Sequence, residues 1–182
     1  MLNAGSAWAK PVVTSLTGVS AFAASTTPVV DLRFTHLQAS AVQEGVHLDK
    51  DPWYYTIFKG LSGSAGVELN FHSPVISVSS IQLAITVPKV GMVADASKVV
   101  IGSGSTAKWT CTSATVAGDN IVYAFSWTGG PILSTSGNRD AVLSYTLPGD
   151  GSPTSAVPLP KTISATAVAP GVGAAAIQAS AN

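Results

Sequence analysis

The segment Thr106–Gly130, TAKWTCTSATVAGDNIVYAFSWTGG, constrains the fold more than any other stretch of the chain. In its second half Ile121, Tyr123, Phe125 and Trp127 alternate with Val122, Ala124 and Ser126. A period of two sends successive side chains to opposite faces, so this is a β-strand with one strongly apolar face. Residues 108–116 alternate more weakly, with Trp109 and Cys111 opposed to Lys108, Thr110 and Thr112. Between them lies Ala117-Gly118-Asp119-Asn120, whose Gly and Asn accept the positive φ of a tight hairpin. The two halves read as the central hairpin of an all-β domain. Trp109, Cys111, Tyr123, Phe125 and Trp127 are its candidate core.

That hairpin carries almost no charge, and neither does the rest of the chain. Charged residues make up 10% of the 182, nine basic and nine acidic, for a formal net charge of zero. An ordinary soluble protein carries about 25%. Copies of such a chain repel each other weakly, and there are too few charges to cover the surface. Ser, Thr and Asn or neighbouring subunits must do so, and subunits are expected to contribute strongly. There is no basic run for a row of phosphates, so no nucleic-acid contact is expected. No apolar stretch reaches the length of a membrane-spanning helix, so no membrane span is expected. The single cysteine, Cys111, excludes an internal disulfide and a cysteine metal cage, and reads as a small buried hydrophobe.

Along the chain, strand signals are short and closely spaced. Residues 29–37 put Val30, Leu32, Phe34 and His36 on one face, and 42–48 is a weaker strand containing Gly45. After the turn Asp49-Lys50-Asp51-Pro52 comes an aromatic strand, 53–58, then a glycine-serine stretch, 61–66, predicted as a flexible loop. Strands follow at 67–72, 76–87, 98–101, the central hairpin, 141–147 and 161–168, separated by Gly, Pro and Asp clusters. Residues 1–28 and 169–182 are small, apolar and poor in charge, with no sustained period, and read as extended arms around a domain at 29–168. Met1–Ala24 resembles a weak export signal, but Pro11, Ser15, Thr17 and Gly18 interrupt its apolar part, and no cleaved leader is expected. Eight to ten short strands without an amphipathic helix predict an antiparallel β-sandwich. A single jelly roll is preferred over an immunoglobulin-like Greek key, since about 140 residues lie between the arms and the paired cysteines of true immunoglobulin domains are absent.

Reactive chemistry finds little support. Gly102–Lys108 is glycine-rich, but it lacks the ending of a phosphate loop and leads into a strand. His36, His47 and His72 have no spacing of a zinc site, and each falls on its own strand. Asp49, Asp51, Asp119, Asp140 and Asp150 sit in turns, where carboxylates bond their own backbone, and no calcium loop is present. There is no G-x-S-x-G elbow and no evident carboxylate pair. No catalytic, metal or cofactor site is expected. Trp53, Tyr54 and Tyr55 are adjacent, so on a strand they cannot all face the core, and they form a candidate exposed aromatic contact.

These features predict a non-enzymatic structural subunit that assembles with copies of itself, or with a second structural protein, through its sandwich and its arms. A virion protein of capsid or decoration type is the expected setting. The alternative is a carbohydrate-binding or adhesive module using the 53–55 aromatics, or a secreted pilus or fibre subunit.

Overall fold

The computed structural model describes residues 30–47, 54–72, 77–105, 108–127, 129–133 and 140–181. The predicted arm 1–28, the predicted turn at 49–52, Trp53 and residues 134–139 lie outside these residues.

Eleven strands are present among the described residues: β1 (Val30–His47), β2 (Tyr54–Phe71), β3 (Ser77–Val78), β4 (Ile81–Pro88), β5 (Val100–Ile101), β6 (Trp109–Ala117), β7 (Asn120–Trp127), β8 (Ile132–Leu133), β9 (Asp140–Pro148), β10 (Lys161–Val168) and β11 (Ala175–Ala181). Two three-residue 3₁₀ turns are the only helical pieces described. The protein is all-β and its sheets are antiparallel. One sheet has the order β1-β2-β9-β5, a second β11-β10-β4-β7-β6, and β3 and β8 form a small ribbon.

The inner faces of the two large sheets share one core, and period-two alternation explains which residues enter it. Ile81, Leu83, Ile85 and Val87 of β4 are buried, as are Ile121, Tyr123, Phe125 and Trp127 of β7. From the opposite sheet come Leu61, Val67 and Leu69 of β2 and Ala141, Leu143, Tyr145 and Leu147 of β9. Fully burying a large apolar side chain is worth about 1.5–3 kcal/mol, so this layer dominates the stability. Phe125 meets Tyr145 across the core at 6.5 Å between ring centroids. Trp109 Nε1 donates to the Val142 carbonyl at 3.1 Å, joining β6 to β9. Of the core candidates, Trp109, Tyr123, Phe125 and Trp127 are buried, and Cys111 is half-buried against them.

The central hairpin closes as the Gly-Asp turn implies, with Ala117 opposite Asn120 and Gly118 at φ +61°. Four other elements differ from the sequence reading. The predicted loop 61–66 is continuous strand within β2, because Leu61 and Ala65 are buried and its glycines let neighbours approach. A Cβ on Gly63 would collide with the Gln38 carbonyl, and that same carbonyl accepts the Tyr145 hydroxyl at 3.2 Å. Residues 29–37 and 42–48 are not two strands but one, β1. A bulge between Phe34 and His36 shifts its phase, so Val30 and Leu32 are buried before it and Leu37 and Ala39 after it, and His36 lies against the outer-face hydroxyl of Ser64. The long strand expected at 76–87 is two pieces, β3 and β4. Finally, the segment 169–182, expected as an arm, carries β11, which pairs with β10 from Lys161↔Ala181 to Ala167↔Ala175. Its small residues gave no strand signal, but they suit a sheet edge where little side chain has to be packed.

Candidate functional site

The four-stranded sheet has a polar, internally bonded outer face. Arg33 on β1 meets Glu68 on β2, with Nε and a terminal nitrogen each 2.5 Å from Oε2. His72 Nε2 lies 2.7 Å from Asp31 Oδ2, and Lys59 pairs with Glu44 at 3.1 Å. Between these pairs the His36 ring lies over Gly66, 3.1 Å from Ser64 Oγ and 3.2 Å from Thr35 Oγ1. Gln38 donates to the same Ser64 hydroxyl at 3.0 Å. A Ser–His pair invites a catalytic reading, but the third partner is a threonine. Among the described residues, the side-chain partners of this imidazole are hydroxyls, and none is the carboxylate that orients a catalytic imidazole. The arrangement holds two strands together.

The five-stranded sheet is finished differently. The strand register aligns its outward residues in rows across the face. One row is Ala176, Thr166, Ala84, Ala124 and Ser113; the next is Gln178, Ser164, Thr86, Val122 and Thr115. A third runs through Val168, Gln82, Ser126 and Thr110. None of these residues is ionisable. Lys161, the first residue of β10, points inward and is buried. Its Nζ donates to the Val90 carbonyl at 2.6 Å and sits 5.7 Å above the Phe58 ring centroid. Burial lowers its pKa, and the nearby Asp150 charge partly restores it. This amine ties the start of β10 to the turn after β4 and has no room for a substrate. A shallow open depression of about 500 Å³ lies over β10 and β11, lined by Ser164, Thr166, Ala176 and Gln178 among others.

The predicted aromatic contact is only partly described. Trp53 and the Tyr54 side chain lie outside the described residues, and Tyr55, at 38% exposure, is on the surface of β2. The structure does not bring the candidate histidines together. His36 and His72 engage separate partners, and the His47 side chain is outside the described residues. Among the described residues no three His, Cys, Asp or Glu side chains converge as a metal site. Turn carboxylates bond their own loops: Asp95 accepts from Ser97 N–H and Oγ, and Asp150 from Ser152 N–H. The Ser97 hydroxyl and amide hold the Asp95 carboxyl below its ordinary pKa. Burial raises the pKa of the Cys111 thiol, away from the reactive thiolate form. No described helix is long and apolar enough to cross a membrane.

The feature that sequence reasoning missed is the uncharged outer face. Its signal was present, since the outward positions of β4, β7 and β10 are all Gln, Ala, Thr, Ser or Val apart from a terminal Pro and Asn. What could not be read was that these strands are neighbours. No protein-family model matches the chain, and no curated protein matches its sequence.

Proposed function

We propose that this chain is a non-enzymatic structural subunit that assembles with copies of itself, in a virion or a comparable protein layer. The observation that carries the proposal is the outer face of the five-stranded sheet, with three rows of outward residues and no ionisable group among them. A sheet face left in water normally carries charge on its exposed positions, which also blocks unwanted contacts. This one has the composition of a surface that loses little on desolvation. The zero net charge of the chain adds no long-range repulsion between copies.

The strand orders support a finer reading of the fold. β1-β2-β9-β5 and β11-β10-β4 follow the A-B-E-D and G-F-C orders of an immunoglobulin-like sandwich, with β6 and β7 added beside β4. We therefore favour the Greek-key sandwich over the single jelly roll. A jelly-roll capsid thus lends the assembly proposal no weight, and the proposal rests on the surface alone.

Negative-stain microscopy and sedimentation of the purified chain test it. Particles, filaments or defined oligomers are expected, and a monomer at high concentration would sink the proposal. The second reading, a carbohydrate-binding module, has Tyr55 in its favour as a surface aromatic on the long β1–β2 hairpin. It predicts a fluorescence change with polysaccharide that Tyr55→Ala or Trp53→Ala abolishes.

A further inference from the structure

We infer that two copies of this chain pack face to face through the outer surface of the five-stranded sheet, about a two-fold axis close to Ala84. The inference rests on the self-assembly proposal and names its contact. β4 is the middle strand of five, and Ala84 lies at the middle of the central row Ala176–Thr166–Ala84–Ala124–Ser113, between the rows of Gln82 and Thr86. An isologous contact buries the most area when its axis passes through the centre of the patch.

Area decides whether the face is large enough. Five strands about 4.8 Å apart and about seven residues rising 3.3 Å each give a footprint of roughly 550 Å² per copy. The pair then buries about 1,100 Å², above the roughly 1,000 Å² that a specific interface needs. Charge decides the occupant. A partner selected by electrostatic complementarity needs charges to read, and the three rows present none. A second copy of the same face meets it without opposing like charges. Apart from Gln82 and Gln178 the side chains are short or β-branched, so two sheets can approach to about 10 Å, the usual face-to-face spacing. Gln82 and Ser126 already bond each other at 2.9 Å, and Thr112 Oγ1 donates to the Ala124 carbonyl at 3.2 Å. Desolvating those polar groups therefore leaves them partnered.

The test uses the full chain and two charged substitutions, Ala84→Lys and Ala84→Glu, read by sedimentation equilibrium. Near the axis each substituted residue faces its own copy. Either variant alone should associate on the order of 100-fold more weakly than the unaltered chain, and an equimolar mixture should recover association. Ser40→Lys, on the outer face of the other sheet, should associate as the unaltered chain does. Far-UV circular dichroism establishes that each variant is folded. Should a charge at 84 prevent folding, Thr166→Arg on β10 must still weaken association, or the inference fails. Ala84 variants that associate normally would overturn this contact and leave self-assembly standing. Failure of the mixture to recover would overturn the two-fold arrangement. An unaltered chain that stays monomeric would overturn both this contact and the proposed function.

Discussion

On the outside of the four-stranded sheet Arg33 pairs with Glu68, His72 with Asp31, and His36 with Ser64. On the outside of the five-stranded sheet the corresponding positions are Ala84, Thr86, Val122, Ala124, Ser164 and Thr166. The two sheets share one core and the same alternation, so burial of the inner faces does not explain the contrast. The outer faces differ in chemistry. Charged pairs such as those on the four-stranded sheet favour hydration and oppose edge and face association. The other sheet lacks such devices over three rows, and its cohesion comes from the side chains beneath it.

If the core layer is what holds the five-stranded sheet, the largest loss belongs to Phe125→Ala. Phe125 is fully buried against Tyr145, and the cavity should cost ~3–5 kcal/mol in denaturant unfolding. A variant that keeps its stability but loses assembly would place Phe125 in a contact rather than the core. Gly63→Ala strikes the four-stranded sheet, since a methyl there displaces the Gln38 carbonyl from Gly63 and from the Tyr145 hydroxyl. A loss of about 1–3 kcal/mol is expected, and a neutral result would mean that β1 and β2 can separate locally without penalty.

Alkaline pH probes the phenols on both sides of the core. Burial raises the pKa values of Tyr123 and Tyr145, while their hydroxyls donate to the Val93 and Gln38 carbonyls. Both stay protonated in the fold at a pH where the unfolded chain, with phenols near pKa ~10, releases its protons. Their contribution is complete below that pH, and stability falls as pH rises through it. Lys161 works the other way, because its pKa is lowered in the fold, and it adds a smaller gain just below the same pH. Urea melts at pH 8, 10 and 11 should show a decline between the last two. The double variant Tyr123→Phe with Tyr145→Phe should flatten that decline. The smallest effect belongs to Arg33→Ala. Arg33 is 65% exposed, and its pair with Glu68 is worth under ~1 kcal/mol and less at high salt.

Much of the fold was legible because β-strand alternation is a local property. The apolar phase of β4, β7, β9 and β10, and the Gly118-Asp119 turn, follow from neighbouring residues alone. Where local rules failed, a distant partner had overridden them. Gly63 and Gly66 read as loop residues until β1 and β9 lie on either side and make use of their missing side chains. Small residues at 175–181 read as an arm until β10 offers its edge. His36 read as sharing a face with Val30, Leu32 and Phe34 until a bulge, set by pairing with β2, put it on the other one. Composition and alternation by themselves determined an all-β chain with an aromatic central hairpin and very little charge. Only the tertiary structure decided which uncharged outward residues became neighbours. Strand order is set by contacts between residues far apart in the chain, and no short-range pattern records it.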